Sequence, residues 1–496
     1  MEPVVTVAGG QVVGASHAGV NAFLGIPYAA PAVGLARYHA PQPVVPWEGH
    51  RDATRHGPTP AQTPYPAPMD AVLPSSVTPG PEYLNVSVWA PTDGENLPVM
   101  VWIPGGAFVR GANSIATYDG SAFARDGVVL VGVNYRLGAP GFAVLDGAPT
   151  NLGLRDQIEA LAWVRDNVAA FGGDRDNVTL FGESAGAMSV ATLMTSPAAD
   201  GLFHRAIVQS GGATAACSLD DARLVSVELA AELGVPATAE AFGALDPENV
   251  LAAQTAVALA IQADPDPERW GASVLSGGLG IMSLFPVIDG DVVPDLPQVG
   301  IARGVAAQMP LLLGTTQEEY RLFLVSTGLA DAVSTEMLPV LAARYGWPTG
   351  AIETYTANRP DASAGDIASA ILTDAAFRVP TSALAAAQHA AGGTVHAYEF
   401  AWPTPVGGLG ACHALELGFV FDTLGQGSAM AGETAPRQLA QEMHRAWVAF
   451  ARDGDPGWAT WTPDDRAVMT FGVHSEVVNG PRADELALWP AVRAEG

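Results

Sequence analysis

Val178-Thr-Leu-Phe-Gly-Glu-Ser-Ala-Gly-Ala-Met-Ser-Val-Ala191 changes character halfway along. A short, largely apolar run suited to a buried strand meets Gly182-Glu-Ser-Ala-Gly186, and a run with helical character follows. Strand, tight turn and helix in that order make a G-x-S-x-G segment an elbow that lifts its serine above the C-terminal edge of a sheet. The glycines at 182 and 186 have a steric reason, because such a turn is strained and neighbouring backbone must approach closely. At the start of the following helix, unpaired N–H groups and the helix dipole favour negative charge developing beside the serine. Glycine-serine loops are common, so it is the flanking strand and helix that give these five residues meaning. Ser184 is the candidate nucleophile.

Working outward, short apolar runs at 99–103, 128–133, 178–181, 206–208, 309–313 and 395–400 read as buried parallel strands. Between them lie helical patterns. Residues 155–168 place Ile158, Leu161, Ala162 and Val164 at three-to-four spacing, and 437–452 form a second amphipathic stretch. Strands alternating with helices predict a central, mostly parallel sheet with helices on both faces. The Ala-rich segments 216–284 and 325–392 carry few strand signals and read as helical insertions above the sheet. The expectation is one catalytic domain over 1–496 with these insertions forming a cap. Residues 57–81 are Pro-dense and predict an irregular surface loop.

Composition removes several function classes. The 496 residues carry 51 acidic and 23 basic side chains, for a net charge of −28, which repels nucleic acid and anionic membrane surfaces. Every basic residue is Arg, so Schiff-base, P-loop and Ser-x-x-Lys chemistries have no lysine to use. Two cysteines, Cys217 and Cys412, make no disulfide framework and suit a reducing, cytoplasmic compartment. No basic-then-apolar leader opens the chain, no run of apolar residues is long enough to span a membrane, and no metal-ligand spacing appears. The expectation is therefore an enzyme with no metal, no cofactor and no membrane or nucleic-acid partner, acting on a small molecule.

Residues 151–190, NLGLRDQIEALAWVRDNVAAFGGDRDNVTLFGESAGAMSV, resemble the signature of type-B carboxylesterases, the family of bacterial p-nitrobenzyl esterases, cholinesterases and the non-catalytic neuroligins. Further matches are Ala22-Phe-Leu-Gly-Ile-Pro-Tyr28, Val133-Asn-Tyr-Arg-Leu-Gly-Ala-Pro-Gly-Phe142 and Gly201-Leu-Phe-His-Arg-Ala-Ile-Val-Gln-Ser-Gly211. The resemblance thus spans nearly the whole chain. It implies an α/β-hydrolase fold and hydrolysis of carboxylic esters by a serine nucleophile. Neuroligin-like relatives lose the serine and carry secretory disulfides, and this chain does neither.

The fold's triad runs Ser, acid, His along the chain. His389, His396, His413, His444 and His474 lie late enough to serve as base. His413 stands in a glycine-rich loop after strand 395–400, where a base poised over a sheet edge belongs. Its stretch 413–421 is also similar to the family's H-x-x-E-L-x-F-V-F, so the resemblance makes His413 the base. An acid is needed just past a strand, and Glu318 and Glu319 both follow 309–313. The family's G-x-x-x-D-E-G pattern places the acid at Glu319, although Tyr320 stands where the family has glycine. For the oxyanion hole, Ala185 supplies the amide after the nucleophile. Pro104-Gly-Gly-Ala-Phe108 resembles the family's H-G-G-G/A-F loop and implies Gly106 and Ala107 as the other donors. Pro104 departs from the family's His or Tyr and brings no donor, so support behind that loop must differ. Ser210 and Glu183 match family positions that support or surround the site. The same machinery could cleave amides, carbamates or lactones. A neutral histidine base implies loss of activity at acid pH with an apparent pKa of about 6–7.

Overall fold

The computed structural model describes residues 2–425 and 429–490. Among them, eleven strands form one sheet. Seven neighbours are mutually parallel, in the order Ala467–Phe471, Val395–Phe400, Leu311–Thr316, Arg205–Gln209, Gly173–Glu183, Leu97–Ile103 and Val129–Val133. Antiparallel strands finish both edges. Glu476–Asn479 closes one; Asn85–Pro91, Val20–Pro27 and Ala15–His17 close the other. This is the α/β-hydrolase fold. Ala467–Phe471, only half-buried over Val468–Thr470, escapes the apolar-run reading, as do the antiparallel edge strands, whose apolar residues are interrupted by polar ones such as Asn21, Asn85 and Ser87.

The central strands are buried on both faces, so alternate side chains feed two cores. Val99, Val101 and Ile103 join one hydrophobic cluster, whereas Met100 and Trp102 join the other. The same division separates Leu311 and Leu313 from Leu312, and Ala206 and Val208 from Ile207. Helix Leu152–Asn167 covers the first face and helix Arg437–Asp453 the second. The first helix is rotated from its apolar stripe. Asp156 and Gln157 are buried while Ile158 and Ala162 are only half-buried. Asp156 can turn inward because Arg136 forms a buried ion pair with it at 2.6 Å, and Gln157 because it donates to Ser189 Oγ.

Segments 216–284 and 325–392 are mainly short helices, including Leu219–Leu233, Pro247–Ala263, Ala364–Thr373 and Val379–Ala390. Residues 57–81 are irregular apart from a 3₁₀ turn, Met69–Ala71. No helix among the described residues is long and apolar enough to cross a membrane.

Candidate active site

Strand Gly173–Glu183 ends one residue before Ser184, and helix Ala185–Leu193 begins one residue after it. Ser184 has φ 56° and ψ −125°, a conformation that side chains with a Cβ seldom adopt and that costs strain. Its surroundings hold it there. Ser184 N–H donates to the Gln209 carbonyl at 2.9 Å. A Cβ on Gly186 would lie 2.0 Å from the Ile103 carbonyl oxygen, and one on Gly182 would lie 2.5 Å from Gly186. Both glycines are demanded by close backbone approach.

Two neighbouring parallel strands bring the other groups to the same sheet edge. Glu319 follows Leu311–Thr316, and His413 lies in the loop after Val395–Phe400. His413 Nδ1 donates to Glu319 Oε2 at 2.6 Å, and Glu319 Oε1 accepts the Thr316 N–H at 2.7 Å. Glu318 faces elsewhere. Its Oε2 accepts the Ala411 N–H at 2.9 Å, and its side chain is 39% exposed against 0% for Glu319. Phe377 and Phe323 flank the imidazole, with ring centroids 4.8 and 5.4 Å away.

The second imidazole nitrogen meets Glu183. Its Oε1 lies 3.0 Å from His413 Nε2 but off the N–H direction, so the contact is an ion pair rather than a formed hydrogen bond. No hydrogen bond joins Ser184 Oγ to His413 among the described residues. Burial alone would lower the His413 pKa, but Glu183 and then Glu319 outweigh it and raise the imidazole to about 9. Burial raises Glu183 to about 7 and, with help from Glu183 and Glu319, raises Glu416 to about 8. The expected titration near 6–7 considered the histidine by itself; Glu183, placed around the site by the family resemblance, and Glu416, not singled out in the sequence, both act on it here.

The loop after Leu97–Ile103 passes over Ser184. A Cβ on Gly105 would lie 2.5 Å from the Glu183 carbonyl oxygen and 3.2 Å from Ser184 Cβ. Gly106 has φ +120°, open only to glycine, and Ala107 and Phe108 follow at φ 55° and 60°. The N–H groups of Gly106 and Ala107 have no protein acceptor among the described residues, and that of Ala185 stands at a helix start. Support for the loop comes from Tyr135, whose buried hydroxyl donates to the Pro104 carbonyl at 2.9 Å. Gln62 adds a two-point clasp. It accepts the Gly111 N–H at 2.9 Å and donates to the Gly111 carbonyl at 3.0 Å.

Arg378 carried no sequence signal. It lies in a π-helical turn, Asp374–Arg378, inside what reads as an insertion. Arg378 Nη2 donates to the Gln317 carbonyl at 2.7 Å and so braces the turn that bears Glu319, while pairing with Asp374. Burial pulls its pKa down to about 10, against the attraction of Glu319.

None of the remaining candidates hydrogen-bonds the Ser184 or His413 side chain among the described residues. His444 Nδ1 donates to the Val420 carbonyl, and His396 is buried in its strand. Cys412 packs its sulfur 3.9 Å from that of Met430, and burial pushes its thiol up. Ser210 is buried with φ 51° and its N–H on the Gly314 carbonyl. No group of three or more metal-ligating side chains converges among the described residues.

Ser184, His413, Gly106 and Ala107 open on one cavity of about 620 Å³. Its walls come from the Pro-dense loop (Tyr65, Leu73), both insertions (Leu259, Ile281, Tyr345, Phe377) and the His413 loop.

Comparison with known proteins follows the same outline. The model of the Carboxylesterase family matches residues 1–489. The chain is 38% identical to para-nitrobenzyl esterase of Bacillus subtilis (strain 168), covering 97% of each chain. It is 32% identical to phenmedipham hydrolase of Pseudarthrobacter oxydans, covering 95% of each. The crystal structure of Geobacillus stearothermophilus carboxylesterase EST55 superposes with a TM-score of 0.85 at 36% identity, over 98% of this chain and 100% of that one.

Proposed function

We propose that this chain, which belongs to the Carboxylesterase family and is an enzyme hydrolysing carboxylic esters, works through an acyl-enzyme on Ser184. The supporting observation is the convergence on one cavity of a serine at a strained strand–helix turn and a histidine bound through Nδ1 to a buried glutamate. In this reading Ser184 Oγ attacks the ester carbonyl carbon and passes its proton to His413 Nε2. To accept it, the imidazole exchanges its Glu183 contact for Ser184. Glu319 holds the tautomer and balances the imidazolium. The oxyanion takes hydrogen bonds from the amides of Gly106, Ala107 and Ala185. Collapse breaks the C–O bond to the alcohol, which leaves with the His413 proton. Water then repeats the sequence and releases the acid.

The substrate in this reading is a small ester. The whole of 1–496 acts as one catalytic domain, and its two helical insertions (216–284 and 325–392) supply cavity walls; residue 1, 426–428 and 491–496 lie outside the described residues. A cytoplasmic setting accords with Cys217 and Cys412, which are both free and buried. Stoichiometric organophosphate labelling with peptide mapping tests the reading, alongside p-nitrophenyl esters of increasing acyl length and one anilide. Ser184→Ala is expected to lose labelling and about 10³-fold or more in kcat while keeping its unfolding midpoint. Label on another serine, or an active Ser184→Ala enzyme, would overturn it.

A further inference from the structure

The cavity above Ser184 is walled largely by apolar side chains, yet three of its residues can carry charge: Arg110, Glu183 and His413. Glu183 and His413 answer each other at 3.0 Å. Arg110 is left over. No carboxylate lies within ion-pair distance of it among the described residues. Its Nε donates to the Thr63 carbonyl at 2.8 Å, and its guanidinium lies over the Tyr65 ring at 5.2 Å. These contacts use one edge and one face of the planar group. Nη1 and Nη2, the fork that grips a carboxylate through two parallel hydrogen bonds, find no protein acceptor among the described residues, and the side chain is only half-buried.

Its place in the chain ties this cation to the chemistry. Arg110 N–H donates to the Gly106 carbonyl at 3.0 Å, so the side chain leaves the loop one turn after a proposed oxyanion donor. A chain with net charge −28 repels anions at long range, and 51 acidic residues offer ample partners for an arginine that needs one. A half-buried guanidinium on the wall of this cavity, with its fork not engaged by a carboxylate, instead offers an anion a local two-point partner.

Building on the acyl-enzyme reading, we propose that Arg110 is a specificity residue for esters that carry a second, ionised carboxylate, held by its Nη fork while the apolar walls take the rest of the molecule. The class covers half-esters of dicarboxylic acids and esters of carboxylate-bearing alcohols or phenols.

Two matched pairs test it. Mono-p-nitrophenyl glutarate against p-nitrophenyl valerate puts the carboxylate on the acyl side; 4-acetoxybenzoate against methyl 4-acetoxybenzoate puts it on the leaving side. For at least one pair, the anionic-to-neutral ratio of kcat/KM is expected to fall tenfold or more in Arg110→Gln, mainly through KM of the anion. Arg110→Lys should recover part of the ratio. Arg110→Met, which keeps the stem against Tyr65, serves if the Gln variant does not fold. Ratios within twofold of wild type for both pairs, or equal losses on anionic and neutral members, would reduce Arg110 to a strut between two loops and overturn the proposal. Wild-type cleavage of the neutral esters no faster than by Ser184→Ala would instead strike at the acyl-enzyme reading beneath it.

Discussion

The hydroxyl of Tyr135 donates to the carbonyl of Pro104 at 2.9 Å, both groups lying out of solvent behind the Gly105–Phe108 loop. Proline offers no N–H or side-chain donor at that position, so a residue 31 positions later supplies the brace. Removing it leaves a buried carbonyl without its donor, at a cost of about 1–3 kcal/mol. Tyr135→Phe is therefore expected to lower stability to urea by that amount. It should also reduce kcat on p-nitrophenyl butyrate more than it raises KM, because the proposed oxyanion donors, the amides of Gly106 and Ala107, lose their fixed aim. A variant with unchanged kcat would show that the loop holds itself.

Adjacent glutamates provide a sharper comparison. Glu319 is fully buried and meets His413 Nδ1, whereas Glu318 is partly exposed and serves the Ala411 amide. Glu319→Gln should cost about 10²–10⁴-fold in kcat by upsetting the imidazole tautomer. Glu318→Gln should stay within about tenfold, as loss of a single loop contact would. Steady-state kinetics on one ester decides between them, and the reverse ranking would transfer the acid role to Glu318.

The carboxylates around His413 predict the pH profile. Both ring nitrogens face a carboxylate, which favours the imidazolium and raises the histidine above its ordinary value, to about 9. In the proposed mechanism only the neutral ring can take the Ser184 proton, so activity should be lost as pH falls through this raised value. The acid limb of kcat/KM should then have its midpoint above about 7, as a property of the coupled Glu183–His413–Glu319–Glu416 group. Glu183→Gln removes one stabilising charge and should move that midpoint to lower pH by about one unit. A midpoint at or below about 6.5 in the wild type, or one indifferent to Glu183→Gln, would contradict it.

Gly106, at φ +120°, turns the loop in a way no other residue permits. We expect this turn to leave room beside Ser184 for the quaternary carbon of a tertiary-alcohol ester, as the resemblance of the loop to the G-G-G/A loops of bacterial esterases implies. Hydrolysis of tert-butyl acetate is expected, slower than that of n-butyl acetate. Turnover of the tertiary ester no greater than with Ser184→Ala, beside rapid n-butyl turnover, would show that the Pro104 loop lacks this room.

What can be read from consecutive residues is local. The strand, Gly182, Ser184, Gly186 and the helix are consecutive, and their steric logic is complete within fourteen residues. Apolar runs marked the central strands because both faces of a parallel sheet are buried, leaving little room for polar interruption. The edge strands admit polar residues and were lost. The position of His413 beyond strand Val395–Phe400 was legible for the same reason, as was a carboxylate beyond Leu311–Thr316.

The remainder rests on contacts between residues far apart in the chain. The family pattern singles out Glu319, but the physical reason that it rather than Glu318 faces the histidine lies in side-chain direction in a turn braced by Arg378 at the Gln317 carbonyl, 61 residues apart. That Glu183 lies against Nε2 and Tyr135 behind Pro104 depends on how separate strands end at one sheet edge. That Arg110 stands without a carboxylate depends on what the Pro-dense loop and two insertions do not bring to it. Backbone sterics act between neighbours in the chain, whereas charge, burial and hydrogen bonding act between neighbours in space.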